Sequence, residues 1–192
     1  PSGLSADSGG GLGPTVEADL TVAFAAPKLC HIFPPAFDFI GELSVVDIGI
    51  PAAVIDAAGS TIELVTPEEC ARSLKPRSVD THKGTYGRVL IVAGAPGMGG
   101  AGALAARGAL RGGAGLVTVG TPDSVSGIIA SLVIEAMVRP YASGGDGQLA
   151  LSAKMGLLAL AESSDVIAVG PGIGTSEETQ QLVREIVVES PA

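Results

Sequence analysis

Two glycine-rich turns hold the residues whose types and spacing could do chemistry. The stretch VAGAPGMGGAG (92–102) contains five glycines, and GPGIG (170–174) contains three more. Each includes or follows a run of apolar β-forming residues, and the first leads into an alanine-rich segment typical of a helix. A helix N-terminus offers free N–H groups and a partial positive charge, and glycine lets a ligand approach them closely. The pattern predicts a binding site for a phosphate or another polar ligand, with tight strand–helix packing as the alternative role of the glycines.

A dinucleotide is one candidate ligand. Gly97-x-Gly99-x-x-Gly102 matches the G-x-G-x-x-G pattern, and Asp123 follows at about the distance where an acidic residue holds a ribose in dinucleotide-binding units. An NAD-dependent oxidoreductase is therefore an alternative function. Against it, the pair Ala95-Pro96 separates the strand from the first glycine of the match. A single match is also weak in a chain that contains 28 glycines.

The elements that position these turns alternate between strand and helix, which is the order of a parallel sheet with helices on both faces. Ligands of such sheets bind beyond the carboxyl ends of the strands, so both turns are expected to line one crevice. The predicted N-caps are Thr66, Ser152 and Thr175, the last in a capping box with Glu178. Patterning predicts strands at 17–24, 43–48, 88–94, 115–121, 134–141 and the start of 165–174, and helices at 66–74, 100–112, 121–132, 152–164 and 175–189.

Composition argues against several classes of protein. A formal net charge of −9 disfavours a nucleic-acid binder and docking on anionic lipid. No apolar run reaches the ~20 residues of a membrane helix. Cys30 and Cys70 are predicted to be free thiols, with a disulfide as the alternative, and the two histidines lack metal-site spacing. Lys83 could bring a cation to a phosphate at the glycine turns, although a solvated linker lysine is the simpler interpretation.

Two blocks of sequence resemble known domains. HKGTYGRVLIVAGAPGMGGAGALAARGALRGGAGLVTVGTP (82–122) and DVIAVGPGIGTSEET (165–179) closely resemble signatures of the ADP/ATP-dependent NAD(P)H-hydrate dehydratase domain, which has a ribokinase-like fold. PSGLSADSG, ADLTVAFAAPK and GELSVVDIGIP resemble the closing segments of the Rossmann-like NAD(P)H-hydrate epimerase domain. The resemblance implies an epimerase part at 1–55, a linker at 56–81 and a dehydratase part at 82–192.

The resemblance also implies a function. The family repairs hydrated NADH and NADPH: the epimerase interconverts the R and S hydrates with K⁺, and the dehydratase removes water from the S form with ADP or ATP and Mg²⁺. The implied substrate contacts are Gly100, Ala101, Gly172 and Gly174, and Ser2 matches a serine that ligates potassium.

The catalytic aspartate of the family is expected beyond residue 192. The chain is therefore expected to be an internal fragment of a bifunctional enzyme or an incomplete gene product, without a complete active site and without dehydratase activity by itself. A cytoplasmic location and a homo-oligomer are further expectations of the resemblance. A noncatalytic nucleotide-binding domain remains an alternative alongside the oxidoreductase.

Overall fold

The computed structural model describes residues 1–74 and 76–191. Contacts divide the chain into two units, Pro1–Lys75 and Pro76–Ala192. The division falls inside the segment 56–81 that the sequence assigns to a linker. None of the helices in the described ranges combines the length and the apolar character needed to cross a bilayer.

The first unit is built on two parallel strands. β1 (Leu20–Phe24) pairs with β2 (Glu42–Val46) along their whole length. Burial alternates along β1, as expected for a strand with one covered face. Thr21 and Ala23 are buried, and the Thr21 hydroxyl donates to the carbonyl of Ile40 at 2.6 Å. The other face of β1 is open, since Leu20, Val22 and Phe24 are each more than half exposed.

The segment between β1 and β2 contains two short 3₁₀ helices, Leu29–His31 and Ala36–Phe39, and no α-helix, as its three prolines predict. After β2 come α1 (Ala52–Ala57), which patterning did not predict, and α2 (Pro67–Ser73). The predicted cap of α2 is confirmed: the Thr66 hydroxyl accepts from the N–H of Glu69, whose carboxylate accepts from the N–H of Thr66.

The second unit is a four-stranded parallel sheet in the order β5-β4-β3-β6. A 3₁₀ turn, Lys83–Tyr86, leads into it, and another, Leu151–Ala153, precedes α5. Its elements are β3 (Arg88–Val92), α3 (Gly99–Gly112), β4 (Leu116–Pro122), α4 (Asp123–Leu132), β5 (Met137–Tyr141), α5 (Lys154–Ala161), β6 (Val166–Val169) and α6 (Glu177–Glu189).

Two apolar clusters hold the helices on opposite faces of this sheet. Alternate residues of β3 point to opposite sides, so Leu90 and Val92 pack with α5 and α6, whereas Ile91 packs with α3 and α4. Helices therefore cover both faces, as the sequence predicts. The ends of the strands remain uncovered by these helices, which leaves the carboxyl edge available for a site.

Three predicted helix starts are wrong. Thr121 stays in β4, and α4 begins at Asp123. Ser152 lies inside the 3₁₀ turn that runs into α5, so helical winding has begun before it. The N-cap of α6 is Ser176, whose hydroxyl accepts from the N–H of Thr179, and not Thr175. The expected capping box fails because Glu178 accepts from the N–H of Leu151 instead.

Candidate functional site

The two glycine turns lie side by side at the carboxyl edge of the sheet. β3 and β6 are neighbouring parallel strands, so the turns that leave them meet. The N–H of Gly94 donates to the carbonyl of Pro171 at 3.0 Å, and the N–H of Gly170 donates to the carbonyl of Val92 at 3.1 Å. The two turns are therefore adjacent, as a shared crevice requires.

The glycines of the two turns face different surroundings. A Cβ at Gly97 or Gly100 would meet no atom within 4 Å, so no packing contact requires glycine there. A Cβ at Gly172 would lie 2.7 Å from the carbonyl oxygen of Met98 and 2.8 Å from the Cβ of Ala101. Gly172 is therefore required by the close approach of the two turns, in addition to its φ of +60°.

Gly174 has a different neighbour. The side-chain amide of Gln148 occupies the volume that a Cβ at Gly174 would fill. The resemblance assigned that bare position to a ligand, but the protein's own amide fills at least this part of it. Of the four implied contacts, Gly100 is exposed with open space around it, Ala101 is half-buried with its Cβ facing Gly172, and Gly172 and Gly174 are packed against the protein's own atoms.

The start of α3 faces this edge without a side-chain cap. Its N-cap is Met98, which makes no capping hydrogen bond from its side chain. The N–H of Ala101 bonds back to the carbonyl of Met98 at 3.1 Å, which leaves the N–H groups of Gly99 and Gly100 without an acceptor among the described residues. Uncapped first-turn N–H groups and the positive end of the helix dipole suit an anionic group.

The two glycine turns form two walls of the candidate site, and the segment that follows β5, residues 142–150, forms a third wall. Sequence analysis did not single out this segment. A Cβ at Gly147 would lie 2.7 Å from Cγ of Pro96, in the first glycine turn. The carbonyl of Gly147 accepts from the Ser124 hydroxyl at 2.7 Å. The carbonyl of Leu149 accepts from the buried Thr179 hydroxyl at 2.8 Å. This segment therefore contacts the first turn and the starts of α4 and α6.

The remaining predicted residues are dispersed. Asp123 directly follows β4 at the carboxyl edge, where its carboxylate accepts a hydrogen bond from the Ser143 hydroxyl. Lys83 lies at the opposite edge, because the turn that contains it receives the N–H of Gly115, just before β4. The idea that Lys83 serves a phosphate at the glycine turns is therefore wrong. Ser2 is exposed in the first unit, and its carbonyl accepts from the N–H of Val16 at 3.0 Å.

Charge at the carboxyl edge is mostly acidic. A cavity of about 350 Å³ beside α6 is lined by Asp146, Glu177 and Glu178 among others. At the end of β5, burial raises the pKa of Tyr141, whose hydroxyl donates to the carbonyl of Gly156 at 3.0 Å. Within the described ranges, no three His, Cys, Asp or Glu side chains are grouped so that they could hold a metal ion.

In the second unit the first strand, β3, lies between the second, β4, and the fourth, β6. Dinucleotide-binding folds have the same arrangement, so the strand order does not distinguish a dehydratase from an oxidoreductase. Sequence comparison does distinguish them. The family model described as NAD(P)H-hydrate dehydratase matches residues 89–191, more than half of the chain. The chain belongs to the NAD(P)H-hydrate dehydratase family. The matched range begins at the second residue of β3 and contains both glycine turns, so the candidate site lies within the dehydratase-family part.

Relatives of this dehydratase-family chain are longer. It is 42% identical to the bifunctional NAD(P)H-hydrate repair enzyme of Moorella thermoacetica, and the alignment covers 100% of this chain and 37% of that protein. The enzyme of the same name from Thermofilum pendens is 36% identical, with 100% and 36% covered. The chain thus spans little more than a third of the curated relatives that it matches.

A solved structure with the same fold is the ribokinase-like superfamily protein from Enterococcus faecalis V583. It is 27% identical, with a TM-score of 0.54, and the match covers 64% of this chain and 40% of that one. The ribokinase-like α/β fold expected from the resemblance is therefore confirmed for the dehydratase-family part.

Proposed function

We propose that this chain is part of an enzyme that repairs hydrated NADH and NADPH. The second unit binds the S-hydrate for a dehydration that consumes ADP or ATP, and the first unit belongs to an epimerase that interconverts the R and S hydrates. Family membership and the names of the relatives support this assignment. The single observation that carries it is the direct contact of the two glycine turns at the carboxyl edge of the sheet, which is where parallel sheets bind nucleotides.

The chemistry explains why a kinase-like fold suits a dehydration. A hydroxyl is a poor leaving group, and transfer of a phosphoryl group to it gives a good one. The C–O bond then breaks, phosphate departs with the bonding electrons, and loss of a proton restores the dihydronicotinamide. The described residues contribute binding and orientation: the free N–H groups at the start of α3 hold a phosphate, and the open space at Gly100 admits the substrate.

The two ions of the proposal have no complete set of ligands among the described residues. Magnesium at nucleotide sites is held by one or two carboxylates together with the phosphates of the nucleotide, so the lack of a three-acid group in the described ranges does not bear on it. For potassium, Ser2 offers a side-chain oxygen, while its carbonyl is already used by Val16. We therefore assign no step to either ion on these residues. A homo-oligomer and a cytoplasmic location complete the proposal, the latter supported by the two free cysteines.

Exchange of Gly100 for alanine tests the function with a matched control. Gly100 and Gly108 both lie in α3, are exposed, and have no atom within 4 Å of an added Cβ. In either case alanine is expected to keep or raise the stability, by up to about 1 kcal/mol. Gly100→Ala is expected to weaken binding of the S-hydrate of NADPH at least tenfold in calorimetric titration, because the methyl group enters the ligand's space.

Gly108→Ala, on the outer surface of the same helix, is expected to bind like the wild type. Equal binding by Gly100→Ala and the wild type would contradict the role given to the start of α3. Absence of hydrate binding by the wild-type chain, with NAD bound instead, would favour the oxidoreductase alternative.

A further inference from the structure

Gln148 lies at the point where the third wall of the site meets the second glycine turn. Its Oε1 accepts from the N–H of Ser176 at 3.1 Å. Its amide also lies against Gly174, in the space that a side chain there would occupy. Its backbone is fixed as well, since its N–H donates to Asp146 at 2.9 Å and its carbonyl accepts from the N–H of Gly144 at 2.8 Å. The amide therefore has a defined position.

The hydrogen bond to Ser176 also fixes which way the amide is turned. A backbone N–H can only donate, so the atom facing it must be the oxygen, and the nitrogen must be the other end of the amide. Across residues 1–74 and 76–191, no acceptor bonds to Nε2 of Gln148. The residue is half-buried beside Gly174, and the two N–H donors of this nitrogen have no partner in the described part of the chain.

We propose that Gln148 is a ligand-binding residue of this site, whose Nε2 donates to an acceptor oxygen of the bound nicotinamide nucleotide hydrate beside Gly174. This inference rests on the proposed function for its ligand. It gives the bare Gly174 position a role: glycine makes room for the amide, and the amide presents a donor to the ligand. A nucleotide hydrate is rich in suitable acceptors, namely its phosphate, ribose, hydroxyl and carboxamide oxygens.

A purely structural role for Gln148 makes a different prediction, and an isosteric substitution separates the two. Gln148→Glu keeps an oxygen for the N–H of Ser176 and removes the donor. Ser176 is the N-cap of α6, where a carboxylate is favoured by the helix dipole, but Asp146, Glu177 and Glu178 already give this region negative charge. The melting temperature of the variant is therefore measured to establish that it is folded before its affinity is compared. A donor replaced by a negatively charged acceptor is expected to weaken binding of the S-hydrate of NADPH by about tenfold or more.

The control is Gln181→Glu, which makes the same charge change at an exposed position of α6, where the Gln181 side chain donates a hydrogen bond to Glu185. It is expected to bind like the wild type. Unchanged affinity of a folded Gln148→Glu variant would overturn the inference and leave the proposed function intact. No binding of the hydrate by the wild-type chain would instead refute the part of the proposed function that assigns hydrate binding to the second unit, and with it the ligand assigned to Gln148.

A second measurement does not depend on how the variant folds. The side-chain NH₂ resonances of Gln148 in ¹⁵N-labelled wild-type chain can be assigned by their loss in Gln148→Leu. Saturation with the S-hydrate of NADPH is expected to shift these resonances more than those of Gln181. Resonances of Gln148 that do not move at saturation would rule out the proposed contact.

Discussion

Thr121 and Thr179 make a matched pair of buried threonines with opposite expected responses to valine. Both are fully buried in the second unit. The Thr179 hydroxyl donates to the carbonyl of Leu149 at 2.8 Å and accepts from the Ser176 hydroxyl at 2.8 Å. The Thr121 hydroxyl has no partner among the described residues. Its neighbours at the space beside Gly94 are the apolar side chains of Val125 and Ile129.

Valine has the shape of threonine but lacks the hydroxyl. The Thr121 hydroxyl loses its hydrogen bonds to water on folding and gains none from the described residues, so Thr121→Val removes a group whose burial is unfavourable. An unpaired buried hydroxyl costs about 1–3 kcal/mol. We expect Thr121→Val to raise the free energy of unfolding by about 1 kcal/mol, which is about 4 °C for a unit of about 120 residues. Thr179→Val is expected to lower it by about 1–3 kcal/mol, because it leaves the carbonyl of Leu149 buried without that donor.

Urea denaturation of the wild type and both variants, followed by circular dichroism, measures the two changes. The difference in sign is the informative result, since volume and burial are the same at both positions. If Thr121→Val were destabilising to the same extent as Thr179→Val, the hydroxyl of Thr121 would have a bonding partner, such as a buried water, and the reasoning would be refuted.

Two further predictions concern the turn contact and the first unit. Gly172→Ala is expected to lower the free energy of unfolding by about 2–4 kcal/mol in the same assay, because its Cβ would meet the carbonyl of Met98. The control Gly97→Ala also has a positive φ but no close atom, and it is expected to lower the free energy of unfolding by only about 1–2 kcal/mol. Equal losses in the two variants would argue against the contact between the turns. Burial lowers the pKa of His31, aided by the nearby N-terminus and Lys28, and its Nδ1 accepts from the N–H of Lys28. The unfolded chain then binds more protons than the folded one, so the melting temperature of the first unit is expected to be highest above about pH 6.5 and to fall as the pH drops below it. His31→Gln is expected to flatten this dependence of the melting temperature on pH. An unchanged dependence in the variant would contradict the role given to His31.

Sequence patterning predicts most of the sheet because local signals and tertiary packing agree there. The strand β3 is a short apolar run bounded by charged and glycine residues, and it lies where patterning expects it. The starts of helices are predicted less accurately where a residue distant in sequence uses a group that the predicted cap needs. At α6, the carboxylate of Glu178 accepts from the N–H of Leu151 instead of the N–H of Thr175, so the predicted capping box does not form and Ser176 is the N-cap.

The candidate site is likewise predicted from the sequence only in part. Glycine turns at the ends of strands predict a site at the carboxyl edge, because the geometry of parallel sheets places ligands there. Gln148 carries no such signal: it lies in the polar segment after β5, and only the folded chain brings it to Gly174. Lys83 shows the converse error, since closeness in sequence to a strand does not say which end of the sheet a residue reaches.

The open face of β1 has a practical consequence for anyone who handles the chain. On this two-stranded sheet, a strip of apolar side chains is exposed to water, formed by Leu20, Val22 and Phe24. Strips of this kind adhere to one another when molecules are crowded, so concentrated preparations are expected to cloud and dilute ones to stay clear. A lysine at the central position, Val22→Lys, interrupts the strip in a different unit from the glycine turns, and is the substitution we would make before crystallisation trials.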